Sequence, residues 1–171
     1  MSFDARLKAA VERYGEHELA SRAAALLVSG EEDDEFLAYV GLGAGDISGF
    51  PSYWRRSWGA RTLEHYWIDE AAASVILGLD DEHWRVRMIC ARVCGKREIP
   101  LAEKLDQLTR DDYWRVREAA ARALSLVGEG EHADALRELL DDENDQVQDA
   151  AERALATLSE RLDRDFGPLG P

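Results

Sequence analysis

One short phrase of the sequence recurs at a nearly constant interval, and this recurrence constrains the fold more than any other feature. Trp84-Arg85-Val86-Arg87 returns thirty residues later as Trp114-Arg115-Val116-Arg117. A third, weaker copy lies around Val147 and Gln148, and an earlier degenerate copy contains Arg56 and Arg61. The three clearer copies each follow another amphipathic helical pattern. Because one helical pair cannot bury its apolar face alone, the pairs are expected to stack, which predicts an all-α solenoid, a superhelix of helical hairpins.

The repeats divide the chain unequally. We expect repeats over residues 46–162, an N-terminal helical cap over residues 1–45 and a flexible tail over residues 163–171, all within one structural domain. The glycine-rich stretch from Gly41 to Gly49, followed by Pro51, is interpreted as a flexible link between the cap and the repeats.

The charge of the chain narrows the choice of partner. Its 171 residues include 35 Asp and Glu against 21 Lys and Arg, which gives a formal net charge of −14. Nucleic-acid binding usually needs a basic footprint, so this charge argues against a nucleic-acid partner. No apolar stretch approaches the roughly 18 residues of a membrane span. Cys90 and Cys94 lie four residues apart in one helical pattern, which fits a reducing compartment, and a soluble cytoplasmic protein is expected.

The repeated phrase resembles HEAT repeats of the short type named after phycobilisome lyases. The pattern Asp-x-x-(Trp)-x-Val-Arg-x-x-Ala-Ala-x-Ala-Leu is matched closely by Asp111 to Leu124, and the resemblance covers about residues 53–162. In such repeats the Asp of the turn and the Arg that opens the second helix commonly form an internal ladder. The resemblance therefore implies two structural pairs, Asp81 with Arg87 and Asp111 with Arg117. Gln148 replaces the Arg in the last copy, which weakens the ladder there.

A second set of side chains is not needed for the core. If Val86, Ile89 and Val93 face inward, arginines recur on the opposite face of each second helix, with tryptophans along one edge. We call this set the Arg–Trp row: Arg61, Arg85, Arg92, Arg115, Arg122, Arg153, Trp54, Trp84 and Trp114. Second helices usually line the concave surface of a solenoid, and Arg beside aromatic rings suits carboxylate, phosphate or peptide recognition.

The Arg–Trp row has two open interpretations. It either forms a partner-binding face or consists of solvated surface residues paired along the helix, which we call the decorative interpretation. Glu118 lies four residues before Arg122, and Asp149 lies four before Arg153, which is the spacing of ordinary ion pairs on a helix surface. Arg85 and Arg92 have no acidic residue at that spacing within their own predicted helix, so the decorative interpretation does not cover them.

No catalytic, metal or cofactor signature is found. Some HEAT-repeat hydroxylases hold iron with His-Glu pairs in the second helix, but the corresponding positions, Ala119-Ala120 and Ala150-Ala151, offer no ligand atoms. The glycines between Gly41 and Gly49 are not followed by the Lys-Ser or Lys-Thr of a phosphate loop. Neither catalytic residues nor cofactors are therefore expected, and Cys90 and Cys94 are expected to be small core residues.

The leading hypothesis is a non-enzymatic protein-interaction or scaffold module that binds a partner segment on the concave face, with an acidic segment as one option. Two alternatives remain. The resemblance to phycobilisome-lyase repeats suggests bilin lyase-like chromophore handling, and the Arg–Trp row suggests nucleic-acid binding like that of HEAT-like DNA glycosylases, against which the net charge argues.

Overall fold

The computed structural model describes residues 2–31, 33–41 and 49–167. Over these residues the chain is helical, with no β-strand, and the predicted all-α fold of HEAT-like helical hairpins is confirmed. The α-helices are α1 (Phe3–Tyr14), α2 (Glu16–Ser29), α3 (Asp34–Val40), α4 (Ser52–Leu63), α5 (Ala72–Gly78), α6 (Trp84–Lys96), α7 (Ala102–Leu108), α8 (Trp114–Val127), α9 (Ala133–Glu138) and α10 (Asp145–Leu162). Short 3-10 helices cover Asp69–Ala71, Gly130–His132 and Leu139–Asp141.

Short polar residues and glycine set several of the helix ends. The Ser2 hydroxyl accepts a hydrogen bond from the Ala5 N–H at the start of α1, and the Asp33 carboxylate accepts one from the Phe36 N–H at the start of α3. Each bond satisfies a donor that the first turn of a helix leaves unpaired. At the end of α2, Gly30 has a φ of 60°, a left-handed conformation that glycine adopts without steric cost.

The chain divides into two compact units, and the first comprises Met1–Val93. In this unit α2 packs against α4 and α5, while α1 packs against α2 and α3. Leucine and aromatic side chains, among them Leu19, Phe36 and Leu63, fill the core and are almost fully buried. A β-carbon on Gly59 would lie 2.6 Å from the Ala23 carbonyl oxygen, so α4 and α2 cross backbone against backbone.

The second unit comprises Cys94–Pro171. Here α8 packs against α7 and α10, and α9 packs against α10. Alanines line the inner side of α8 and α10, where Ala120 and Ala151 are fully buried beside leucines such as Leu136 and Leu158. Small residues at these positions let the helices approach closely, which explains the recurring Ala-Ala of the repeated phrase.

The predicted domain limits stay a prediction. The expected flexible link falls largely on residues 42–48, and the end of the expected tail falls on residues 168–171, all outside the described part of the chain. Within the described start of the tail, Phe166 is buried, and its N–H donates to the Ser159 hydroxyl at 3.0 Å. Among the described residues, no helix combines the length and apolarity that crossing a membrane requires.

Candidate functional site

The turn aspartates pair with arginines in a pattern that differs from the predicted one. Both Asp81 carboxylate oxygens accept hydrogen bonds from Arg56, at 2.6 and 3.0 Å, although Arg56 lies 25 residues earlier. The same carboxylate caps the start of α6 by accepting from the His83 N–H at 2.8 Å. Arg87, the predicted partner, donates instead to the main-chain oxygen of Asp81 at 2.8 Å.

The second unit repeats this arrangement. Arg117 donates to both carboxylate oxygens of Asp142, at 2.7 and 2.9 Å, and again the two residues are 25 positions apart. Toward its predicted partner, Asp111, Arg117 donates only to the main-chain oxygen, at 2.8 Å. Gln148 makes the equivalent bond to the Asp142 main-chain oxygen at 2.6 Å.

The predicted pairs, Asp81 with Arg87 and Asp111 with Arg117, therefore meet through the main chain. For Asp81 the reason is geometric, because its carboxylate caps the start of α6 and its remaining lone pairs accept the two hydrogen bonds from Arg56. For Asp142, burial by itself raises the pKa, but the hydrogen bonds from Arg117 and from the Asn144 N–H outweigh burial and lower it below its ordinary value. The hydrogen bonds with Asp142 in turn raise the pKa of Arg117.

In the first unit the structure assembles part of the Arg–Trp row into one cluster. The Arg85 guanidinium carbon lies 4.4 Å from the centre of the Trp54 ring and 4.9 Å from that of Trp84. Trp54 comes from α4, whereas Arg85 and Trp84 open α6. The buried Nε of Arg85 has no hydrogen-bond partner among the described residues, and two indole rings contact this cation.

Further aromatic rings surround this cluster. The Tyr53 and His83 rings stack with centroids 3.5 Å apart and an interplanar angle of 5°. Trp54 contacts Tyr53 on one side and Phe50 on another, at 5.6 and 6.4 Å between ring centroids. Tyr53, Trp54, His83 and Trp84 are all partly exposed. The predicted row did not include Tyr53 or His83, although both directly precede one of its tryptophans.

The other two arginines of the row in this unit have internal partners. Arg92 forms an ion pair with Glu64 at 2.9 Å, and Glu64 is buried, with 6% of its surface exposed. Glu64 follows the last residue of α4, so a search for acidic residues four positions away on α6 misses it. The Arg61 guanidinium lies 4.0 Å from the centre of the Phe3 ring on α1.

In the second unit the row shows the contacts that the decorative interpretation predicts. Arg122 pairs with Glu118 at 2.8 Å, and Arg153 lies 3.9 Å from Asp149. Arg115 stacks on Trp114, with 4.2 Å between the guanidinium carbon and the ring centre. These arginines remain exposed.

One cluster in the second unit has the residue types of a metal site. Ligand atoms of Glu103, Glu131 and His132 lie within 4.8 Å of one another. However, Nδ1 of His132 accepts a hydrogen bond from the Glu129 N–H at 3.0 Å, which places the proton of the neutral ring on Nε2. His132 thereby caps a helical turn and has no free lone pair for a metal.

The two cysteines are buried. Burial raises the pKa of the Cys94 thiol to about 12, so this thiol is protonated at neutral pH and is a poor nucleophile. Cys90 and Cys94 lie among core residues, where the sequence placed them.

Comparison with known proteins identifies the repeated part of the chain. Residues 72–156, which run from the start of α5 into α10, match the family model described as HEAT repeats. No curated protein gives a significant match. The resemblance to the phycobilisome-lyase subtype stays a prediction. The match, the repeated phrase and the helical hairpins agree, and residues 72–156 therefore form HEAT repeats.

Proposed function

We propose that this chain is a non-enzymatic protein-interaction module that binds an acidic segment of a partner protein at the cluster of Trp54, Trp84 and Arg85. HEAT repeats generally serve as protein-interaction scaffolds, which supports the general part of the proposal. The acidic segment and the place of binding are inferred from the geometry of the first unit.

The stacking of Arg85 between two indole rings carries the proposal. The Nε of its guanidinium fork is buried with no hydrogen-bond partner among the described residues, and the guanidinium carbon lies 4.4 and 4.9 Å from the two ring centres. A carboxylate accepts two parallel N–H bonds from such a fork. Because the rings already fix the side chain, binding costs little additional rotamer entropy. The partly exposed rings offer apolar surface beside the charge.

The net charge of −14 does not prevent this binding, because nearby carboxylates are already paired. The Asp81 carboxylate is bonded to Arg56, and the Glu64 carboxylate is bonded to Arg92. Arg61, whose contact is with the Phe3 ring, adds a second positive charge on α4. The second helices of the first unit therefore carry a local positive charge on an acidic protein.

The proposal is tested by affinity purification from native extract with three baits: the full wild-type chain, Arg85→Gln and Arg153→Gln. Arg153 is the matched control because it is an exposed row arginine whose contact with Asp149 is loose. We expect recovery of the bound partner to fall about tenfold for Arg85→Gln, as for a central interface residue, and to be unchanged for Arg153→Gln. Recovered partners are then mapped with peptides, and the bound segment is expected to be acidic.

Two results contradict the proposal. One is equal recovery of the same proteins by all three baits, because Arg85 then contributes nothing specific. The other is salt-dependent binding of a labelled DNA duplex, or transfer of a bilin to an acceptor protein, by a chain that retains no protein partner. These outcomes would instead assign nucleic-acid binding or chromophore handling.

A further inference from the structure

The outer face of α5 is apolar and open to solvent. Ala73, Ile76 and Leu77 share this face at helical spacing, with Ile76 41% and Leu77 62% exposed. Val28, on the neighbouring helix α2, is 52% exposed as well. An exposed group of large apolar side chains is costly in water, and it commonly marks an interaction surface.

The repeats themselves provide a comparison for this face. Counting from the first residue of each helix, α5, α7 and α9 are in register, and Val75, Leu105 and Leu136 are the fully buried equivalents. At the outer positions α7 and α9 carry polar or charged residues, whereas α5 carries apolar ones. The equivalent sets are Ala73, Glu103 and Asp134; Ile76, Asp106 and Arg137; and Leu77, Gln107 and Glu138. The apolar face is thus specific to α5 and is not required by the repeat.

Acidic side chains lie at both ends of the apolar face. Glu70 precedes α5 and Asp80 follows it, and both are exposed. A second copy of this chain would bring the same two acids and another charge of −14 against this surface, which disfavours self-association here.

We infer that the α5 face binds an amphipathic helix of a partner protein whose apolar stripe is flanked by Lys or Arg. Leucines or isoleucines at i, i+3 and i+4 of that helix cover Ala73, Ile76 and Leu77. A flanking cation meets Glu70. This surface shares no residue with the Arg85 cluster, and the inference does not depend on the function proposed there.

The test uses the full chain and a labelled synthetic helix built from Leu at i, i+3, i+4 and i+7 and Lys elsewhere. Binding is measured by fluorescence anisotropy for the wild type and for the double variant Ile76→Asp with Leu77→Gln, which copies the residues of α7. The double variant is more acidic, so unspecific attraction to the lysines would strengthen binding. We expect the Kd to rise about tenfold instead, because the apolar contact is lost.

Leu126→Gln is the matched control, since Leu126 is 44% exposed and lies on α8 in the other unit. This variant is expected to bind the peptide as tightly as the wild type does. A peptide with Ile in place of Leu is expected to bind the wild type as tightly as the Leu peptide. The inference is overturned if the double variant binds as tightly as the wild type, or if a Glu-for-Lys peptide binds equally well. It is also overturned if sedimentation shows a dimer of the free chain that the double variant abolishes, which would assign the face to a second copy.

Discussion

His83 connects the aromatic cluster to the start of α6. Its ring stacks on Tyr53, and its Nδ1 accepts a hydrogen bond from the Arg85 N–H at 3.3 Å. Because Nδ1 accepts, the neutral ring carries its proton on Nε2. Burial lowers the pKa of His83, and the positive charge of Arg85 lowers it further. The folded state therefore favours the neutral ring, and the hydrogen bond that orients the backbone of Arg85 depends on it.

The lowered pKa of His83 predicts a loss of stability in mild acid. Above the unfolded-state pKa of about 6.5, the ring is neutral in both states and its contribution is complete. As the pH falls through 6.5, the unfolded chain takes up the proton first, so the free energy of unfolding decreases until the folded-state pKa is passed. Denaturant unfolding at several pH values is expected to show this decrease in the wild type and a smaller one in His83→Gln.

NMR titration of the histidine ring protons checks the same prediction directly. The resonance that is missing in His83→Gln should titrate below 6.5 in the wild type. A midpoint at or above 6.5 would contradict the prediction, because the folded state would then not disfavour the proton.

At the level of helices, the crossing of α2 and α4 depends on a single missing side chain. A β-carbon on Gly59 would lie 2.6 Å from the Ala23 carbonyl oxygen and 2.7 Å from the Leu27 nitrogen, both of them backbone atoms. Alanine in a helix interior is ordinarily about 1 kcal/mol more favourable than glycine. Here the overlap forces the two helices apart, and overpacking costs about 1–3 kcal/mol or more.

We therefore expect Gly59→Ala to reduce the free energy of unfolding, against the helix propensity. Gly49→Ala is the control, because nothing lies within 4 Å of a β-carbon there. Chemical denaturation of both variants measures the effect. If Gly59→Ala were as stable as the wild type, the close backbone crossing would be wrong.

Successive hairpins are also joined by the arginine forks, the paired hydrogen bonds from Arg56 to Asp81 and from Arg117 to Asp142. Arg117 is 8% exposed as a residue and bonds both oxygens of Asp142, a carboxylate with little exposure. Removing one partner of a buried pair leaves the other uncompensated, which typically costs about 3–5 kcal/mol. Asp142→Asn is thus expected to destabilise the chain strongly, as measured by denaturant unfolding.

Asp106→Asn provides the comparison for an ion pair at the surface. Asp106 pairs with the exposed Arg110 at 2.7 Å, and exposed pairs generally contribute about 0–1 kcal/mol. Similar small losses in both variants would show that the fork of Arg117 is not a structural link between the hairpins.

At the level of the whole chain, the sequence predicted the helical hairpins, which follow from its periodicity. It missed the side-chain contacts between residues that are far apart in sequence. The recurrence of Trp-Arg-Val-Arg was sufficient for the helical hairpins, because stacking is the only way such pairs bury their apolar faces. The exact partner of Asp81 was missed, since Arg56 is 25 residues distant in a degenerate repeat. Glu64 was missed as the partner of Arg92 for the same reason. The stacking of Arg85 on Trp54 joins two helices and has no signature in local spacing.

The net charge predicts how salt affects the stability of the molecule. With 35 acidic and 21 basic side chains, repulsion among exposed carboxylates opposes the folded state at low ionic strength. The Debye length falls from about 30 Å at 0.01 M salt to about 8 Å at 0.15 M, so added salt removes the long-range part of this repulsion. The buried forks onto Asp81 and Asp142 are screened much less.

Thermal unfolding is therefore expected at a higher Tm in 0.15 M than in 0.01 M sodium chloride, by about 2–4 °C for each kcal/mol gained. Glu12→Gln with Glu152→Gln removes two exposed carboxylates from different helices. This variant should melt at a higher temperature than the wild type in low salt, and its Tm should depend less on salt. A Tm that falls as salt is added would mean that exposed ion pairs, such as Arg122 with Glu118, stabilise the fold more than the repulsion among carboxylates destabilises it. The carboxylates on the surface would then repel one another less than the composition implies.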